Sequence, residues 1–271
     1  MKRLTIYLAL SFLCLPILGW SQSEVPLALH GAIMNFETYL AQAETFKSHY
    51  HGTEDFSDVQ YERVEYASLK QVIENTPGDH SSQYIKGLKI YYGLTEQNEI
   101  ILYYVPVYAN YASTSGEMSL FDVQIPEGGF NAIMDDSKYD IYYVYDGQLY
   151  DLRKDGIQFE EAYDNVSRYF FDVKTNPGYE MNKVLSVFFP TQEIERLYLD
   201  NVTSDYNTGN IFFTSAAEFV EGGYIHHLIM TTIRDYDPPY QNNNNFLGMA
   251  ADMDCRCPFS CQNVAYPALT Q

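Results

Sequence analysis

Three cysteines near the C-terminal end form the most compact set of residues in this sequence that could do chemistry. Cys255, Cys257 and Cys261 follow a Cys-x-Cys-x-x-x-Cys pattern. In an oxidising compartment two of them would form a disulfide, and Cys255 or Cys257 closing onto Cys261 is easier than bridging the pair separated by one residue. Two alternatives stay open: thiolate ligation of a metal together with a histidine, and reduced thiols. This spacing is a weaker metal signal than paired Cys-x-x-Cys knuckles.

Two histidine pairs are the other candidate ligands, His226-His227 and His49-x-His51. Neighbouring residues of a strand point to opposite faces, so His226 and His227 are not expected to hold one ion together. His49 and His51 could do so, but they fall at a predicted helix end, where a solvent-facing role is the more frequent one.

Catalytic motifs are absent from the sequence. It contains no Gly-x-Ser-x-Gly elbow, no His-Glu-x-x-His and no phosphate-binding glycine loop. A catalytic carboxylate pair cannot be picked out among 36 acidic residues. Three acidic clusters lack the spacing and glycine of a calcium loop and are predicted to be solvated surface: Asp135-Asp136, Glu160-Glu161 and Asp252-x-Asp254. No catalytic residue and no cofactor is predicted, and the cysteines stay the weak metal candidates.

The N-terminal residues predict export. Met1-Lys2-Arg3 is followed by an apolar run from Leu4 to Leu18 and by Gly19-Trp20-Ser21-Gln22. This is the pattern of a signal peptide, residues 1–21, cleaved after Ser21. A retained anchor is the weaker alternative because the run is shorter than the roughly 20 residues that a membrane-spanning helix needs. A lipid-modified Cys14 is disfavoured by the bulky Leu13 before it.

Charge and amino-acid composition limit the classes of partner that this chain is expected to bind. The net charge is −20, and removal of Lys2 and Arg3 with the signal peptide makes it −22, which repels phosphate backbones and excludes nucleic acid. The sequence holds 26 Tyr and 16 Phe but one Trp. Tyrosine favours strands and half-buried surfaces, so most of these rings are expected to pack in sheets, although exposed tyrosines also suit glycan or peptide binding. No further segment predicts a transmembrane helix in the mature chain.

Hydrophobic periodicity predicts the elements that position these residues. The predicted helices span Ile33 to Tyr50, Ser68 to Asn75 with Ser68 as N-cap, and a long one beginning near Phe159. Leu88 to Tyr92 and Ile100 to Tyr108 predict a hairpin, and Met118 to Ile125 another strand. Tyr139 to Tyr145 and Gln148 to Leu152 predict a second hairpin, because Asp146-Gly147 supplies the positive φ of a tight turn.

Landmarks at a nearly constant offset predict an internal repeat. Phe36 matches Phe159 and Ser68 matches Thr191 at 123 residues, while Tyr84 matches Tyr206 and Gly87 matches Gly209 at 122. The sequence therefore predicts an α+β fold of two diverged copies of a helix–strand–short helix–β-hairpin module with mainly antiparallel sheets. Copy 1 covers 22–125, connecting strands and a hairpin cover 126–152, copy 2 covers 153–240, and a polar, Cys-containing tail covers 241–271. Two related cores with a ligand-binding groove between them are expected.

The stretch from Gly87 to Gly93, GLKIYYG, is similar to G-[IL]-[RK]-[IF]-Y-[YF]-G segments in uncharacterised exported proteins of Bacteroidota-type bacteria. Those proteins often end in a Cys-Pro-x-x-Cys-like tail, which Cys257-Pro258-Phe259-Ser260-Cys261 resembles. The resemblance covers about 40 residues well and implies export and this fold rather than an activity.

The expected function is a non-catalytic binding or interaction protein of the periplasm, cell surface or extracellular space. Its ligand is an unknown envelope component, peptide or glycan. Two alternatives belong to other classes: a metal-dependent hydrolase using the C-terminal cysteines or the histidines, and an outer-membrane β-barrel. Two amphipathic helices argue against the barrel.

Overall fold

The computed structural model describes twelve separate ranges of the chain. The described residues are 33–34, 36–49, 61–75, 84–97, 99–114, 117–123, 139–154, 159–175, 186–202, 209–220, 223–232 and 248–250.

Eleven strands and four helices lie in this described part of the chain. In chain order they are β1 (Ile33–Met34), α1 (Phe36–His49), β2 (Tyr61–Glu65), α2 (Tyr66–Glu74), β3 (Tyr84–Leu94), β4 (Ile100–Thr114), β5 (Glu117–Val123), β6 (Tyr142–Tyr145), β7 (Gln148–Asp151), α3 (Phe159–Thr175), β8 (Ser186–Pro190), α4 (Thr191–Val202), β9 (Asn210–Val220), β10 (Gly223–Thr231) and β11 (Gly248–Ala250).

The strands form two sheets. Sheet A has the order β1-β11-β10-β9-β2, and sheet B has the order β7-β6-β4-β3-β8 with β5 beside the far end of β4. Every strand pair in the described ranges is antiparallel. The predicted α+β class with mainly antiparallel sheets is therefore confirmed.

The two longest helices bury the faces that their sequence periodicity predicts. In α1 the buried side chains are Tyr39, Ala43 and Phe46, three or four residues apart as one helical face requires. Tyr39 also fixes α1 on sheet A, since its hydroxyl lies 3.1 Å from the hydroxyl of Thr214 on β9. In α3 the corresponding face includes Val166, and this helix packs against β3.

The main hydrophobic core takes side chains from both halves of the chain. One buried cluster contains Ile90 and Tyr104 of sheet B together with Ile211 and Phe213 of sheet A. A small second cluster lies between α1 and the outer face of sheet A. Two cores, one for each half, were expected, whereas the main cluster draws side chains from both halves and the second cluster is confined to α1 and sheet A.

Both predicted hairpins are present. Strands β3 and β4 pair from Leu94 opposite Ile100 to Tyr84 opposite Asn110. The β6–β7 hairpin turns at Asp146 and Gly147, whose φ angles are 47° and 80°. Two consecutive positive φ angles match the right-handed twist of the flanking strands, and this is the reason that Asp-Gly predicted the turn.

Each half of the chain gives one strand to the sheet of the other half. Strand β2, from the first half, pairs with β9 of the second, while β8, from the second half, pairs with β3 of the first. The order helix, strand, short helix, hairpin occurs in both halves. The reciprocal exchange is what a duplicated, quasi-symmetric module would give, and the duplication itself stays a prediction.

Three local predictions were wrong. Ile33 and Met34 form β1 instead of the first turn of α1. Helix α2 begins at Tyr66, after Glu65, so Ser68 is not its N-cap; the Ser68 hydroxyl instead accepts a hydrogen bond from the backbone N–H of Leu149 at 2.9 Å. Part of the predicted tail enters sheet A, because β11 pairs with β1 and β10.

The repeat landmarks mostly mark element starts. Phe36, Phe159, Tyr84 and Thr191 are the first residues of α1, α3, β3 and α4. Tyr206 lies outside the described residues. The sequence-matched glycines differ in place, since Gly87 lies within β3 and Gly209 precedes β9.

Within the described ranges, no helix is both long enough and apolar enough to cross a membrane.

Candidate functional site

The two sheets are joined by a hydrogen bond between a tyrosine and a glutamate. Tyr104, on β4 of sheet B, donates its hydroxyl hydrogen to Oε2 of Glu62 on β2 of sheet A, at 2.5 Å. Glu62 pairs in register with Phe213, so the two side chains share one face of sheet A. The rings of Tyr104 and Phe213 meet edge to face at 5.5 Å. The carboxyl group of Glu62 therefore lies between an aromatic core and the hydroxyl that reaches it.

Burial shifts the acid–base behaviour of this pair. The pKa of Glu62 is raised to about 8, chiefly because its carboxyl end is removed from water, and hydrogen bonds from Tyr104 and the Leu102 backbone only partly offset this. The pKa of Tyr104 is raised well above its ordinary value, mainly by burial and then by the charge of Glu62. At neutral pH, Glu62 is therefore mostly protonated.

More polar groups follow Tyr104 across sheet B. Tyr104 pairs with Tyr142 on β6, which pairs with Asp151 on β7. The pKa of Tyr142 is raised by burial and by the nearby charges of Asp140 and Asp151. Asp151 is itself held by Nζ of Lys154 at 2.7 Å. This row of paired side chains therefore runs from Tyr104, which contacts Glu62, through Tyr142 to the carboxylate of Asp151 on the edge strand β7.

The opposite face of the β6–β7 hairpin carries exposed tyrosines. Tyr143 pairs with Tyr150 and Tyr145 with Gln148, and alternate residues of a strand share a face. These four side chains form what we call the tyrosine face. Tyr145 is 66% exposed and Tyr150 is 37% exposed, and their rings meet edge to face at 6.0 Å.

Three contacts tie this hairpin to β2 and α2. The backbone N–H of Glu65 donates to the carbonyl oxygen of Gly147 at 2.7 Å. Nη2 of Arg63 lies 3.5 Å from Oδ1 of Asp146. Ser68 accepts the N–H of Leu149. The tyrosine face is therefore carried on an anchored hairpin.

A second polar network lies on the other side of β4. Nδ2 of Asn165 on α3 donates to the hydroxyl of Tyr103 at 2.9 Å. Nη1 of Arg168 donates both to Oδ1 of Asn165 at 2.9 Å and to the carbonyl oxygen of Leu94 at 2.6 Å. Burial raises the pKa of Tyr103 to about 12. The network fixes α3 against the end of the β3–β4 hairpin.

The predicted histidine pairs are not brought together as a metal site in the described part of the structure. His226 and His227 are both buried on β10 and, as adjacent strand residues, point to opposite faces. Burial lowers the pKa of His226 to about 3. His49 ends α1, and His51 lies outside the described residues.

The cysteines and acidic clusters are not brought together as a metal site within the described residues. Cys255, Cys257 and Cys261 lie outside the described residues, as do Asp135-Asp136 and Asp252-x-Asp254. Glu160 and Glu161 are exposed on α3, as predicted for solvated surface. Among the described side chains, no group of three or more His, Cys, Asp or Glu is placed to hold a metal ion.

Sequence reasoning missed the buried polar residues. Glu62 stands in the polar run Tyr61-Glu62-Arg63 and has no local signal of burial. Lys89 is only 1% exposed, and its Nζ lies 5.7 Å from the centroid of the Tyr91 ring. A lysine flanked by Leu88 and Ile90 in an apolar run was the one available hint.

No protein-family model, curated protein or solved structure matches the chain.

Proposed function

We propose that this chain is an exported, non-catalytic binding protein of the cell envelope, and that the tyrosine face contacts a glycan. The observation that carries the proposal is the exposure of Tyr145 and Tyr150, 66% and 37%, on a hairpin whose other hydrophobic side chains, Tyr143 included, pack against the core. Large aromatic side chains gain free energy by burial. Two exposed rings in contact with each other and beside polar groups are a candidate binding surface.

The chemistry of the face suits a sugar. Tyrosine offers an apolar ring for the C–H face of a pyranose and a hydroxyl for its polar edge. Polar groups stand beside the rings: Gln148 is opposite Tyr145, and the side chain of Asp146 is 87% exposed at the turn. A few polar groups among aromatic side chains are what small-ligand sites generally contain.

The hydrogen bonding at the β7 edge of sheet B favours a glycan over an extended peptide. Strand β7 is the last strand of sheet B, and a peptide would add there through outward-facing backbone groups. The N–H of Leu149 already donates to Ser68. Strand addition at this point would first have to break that hydrogen bond.

Binding of neutral envelope polysaccharides and of soluble peptidoglycan fragments, measured by isothermal titration, tests the proposal. We expect Tyr145→Ala and Tyr150→Ala each to weaken binding by tenfold or more. Phe219→Ala is the matched control, because Phe219 is 69% exposed on β9 of the other sheet. Unchanged affinity in both tyrosine variants, or binding of peptides but of no glycan, would overturn the proposal.

A further inference from the structure

We propose that the Glu62–Tyr104 hydrogen bond is a proton-dependent latch, which holds β2 against sheet B and thereby holds the tyrosine face in its binding orientation. The inference extends the proposed function by naming how binding is regulated. It predicts that the site is ordered when Glu62 is protonated and loosens when Glu62 ionises.

The contact between β2 and sheet B depends on Glu62. It accepts the Tyr104 hydroxyl across the gap between the sheets and also a backbone N–H from Leu102 of the same strand, β4. Strand β2 is at the edge of sheet A, with β9 as its one strand neighbour. A strand paired on a single side has less to lose by shifting than a central strand does.

No cation is among the groups that act on the Glu62 carboxyl. From β9 it faces Phe213, from β4 it faces Tyr104, and the charge of Glu62 also acts on Tyr103. The charged groups of the neighbouring β6–β7 segment engage one another: Asp140 interacts with Tyr142, Asp151 with Lys154 and Asp146 with Arg63.

Ionisation therefore leaves an enclosed negative charge with two hydrogen-bond donors and no opposite charge. Such a charge is stabilised far better by water than by this environment. Moving β2 toward solvent would hydrate it. Glu62 retains part of its surface at the sheet edge, so proton exchange with solvent does not require global unfolding.

The hairpin would respond because β2 carries its anchors. Arg63 and Glu65, one and three positions after Glu62, make two of the three contacts to the turn. Tyr142, at the start of β6, pairs directly with Tyr104. Movement at Glu62 thus reaches the tyrosine face from both the turn and the strand start.

Amide hydrogen exchange of the full-length mature chain from pH 6 to 10, corrected for intrinsic exchange, tests the latch without any ligand. We expect protection of β2 and of β6–β7 to fall by up to roughly tenfold per pH unit as the pH rises toward 8, because an opened Glu62 loses a proton that the closed one keeps, and to level off above pH 8, where both are ionised. Glu62→Gln should remove this pH dependence, because the amide stays neutral and still accepts from Tyr104. Glu74→Gln, on α2, should behave as the wild type, because that side chain is mostly exposed beside Lys70.

A second variant keeps the test decisive if Glu62→Gln does not fold. Tyr104→Phe should lower the protection of β2 already at pH 7. Protection that is independent of pH in the wild type, or equal pH dependence in the wild type and Glu62→Gln, would overturn the latch. Glycan titrations at pH 7 and 9 separate the two proposals: a latch that opens while no glycan binds at either pH contradicts only the proposed function.

Discussion

The hydroxyl of Tyr169, on α3, lies 2.8 Å from Nδ1 of His226, on β10. The contact joins a helix to sheet A inside the protein, and both residues are buried. Phe46 of α1 meets the imidazole edge to face at 4.8 Å, and Tyr92 of β3 stacks on Tyr169 at 5.0 Å. His226 therefore meets one aromatic ring from each of the two long helices, and the ring from α3 is itself stacked on sheet B.

This environment predicts acid sensitivity. Because burial lowers the pKa of His226 from 6.5 to about 3, the unfolded chain binds a proton between these pH values that the folded chain does not. The stability that neutral His226 contributes is complete above pH 6.5 and is lost as the pH falls toward 3. We expect His226→Gln to lose less stability over this range than the wild type, by up to about 1.4 kcal/mol per pH unit.

Urea unfolding at stepwise pH measures this difference. Tyr169→Phe is the control, because it removes the hydrogen bond and leaves the imidazole able to titrate. It should keep the wild-type pH dependence while being less stable overall. Parallel curves for His226→Gln and the wild type would contradict the prediction.

Glu62 predicts the opposite dependence. Its pKa is raised from 4.5 to about 8, so the folded chain retains a proton that the unfolded chain loses. Its contribution to stability is complete below pH 4.5 and is lost as the pH rises through 8. The stability of Glu62→Gln relative to the wild type should therefore increase between pH 4.5 and 8, on the order of 1 kcal/mol per pH unit, and then level off.

The same urea titration, continued to pH 9, measures this change. Glu74→Gln on α2 is a control, since that side chain is mostly exposed beside Lys70. A constant difference between Glu62→Gln and the wild type at all pH values would show that burial does not control the Glu62 proton.

Local features of the fold could be predicted because their causes lie within a few residues. Asp146-Gly147 specifies the β6–β7 turn by its own backbone preferences, and the observed φ angles are 47° and 80°. The buried face of α3 follows from residue spacing alone. The exchange of β2 and β8 between the halves has no such local cause, since Glu65 pairs with Asn210, far along the chain.

The candidate site was less predictable for the same reason. The burial of Glu62 depends on Tyr104, 42 residues away, and on Phe213 in the other half of the chain. Ser68 resembles an N-cap in sequence, yet α2 begins before it. Its hydroxyl instead accepts a hydrogen bond from the backbone of the edge strand β7. Tyrosine content predicted aromatic packing correctly, but register alone determines which rings, such as Tyr145, face solvent.

Asn165 is predicted to be a structural connection between α3 and sheet B. Its amide links the Tyr103 hydroxyl to the Arg168 guanidinium, and it is buried. Asn165→Leu should destabilise the fold by about 1–3 kcal/mol, because the buried Tyr103 hydroxyl loses its donor. The double variant Asn165→Leu with Tyr103→Phe should recover part of this loss, and a purely additive double-mutant cycle in urea unfolding would contradict the link.

The paired landmarks Gly87 and Gly209 are glycines for different physical reasons. A side-chain carbon at Gly87 would collide with the backbone carbonyl oxygen of Phe189 and would lie 2.5 Å from Cζ of Phe188. Gly87 therefore permits the close approach of β8 to β3. Gly209 has open space around it but a φ of +73°, which favours a residue without a side chain.

Substitutions at Gly87 and Gly209 distinguish close packing from backbone conformation as the reason for glycine. Gly87→Ala should destabilise the fold by about 1–3 kcal/mol through overpacking, and Gly87→Asn should be worse because the side chain is larger. Gly209→Ala should cost about 1 kcal/mol, whereas Gly209→Asn should recover most of that loss, since asparagine tolerates the left-handed conformation. Urea unfolding of the four variants measures both series. If asparagine were no better than alanine at position 209, backbone conformation would not be the reason for glycine there.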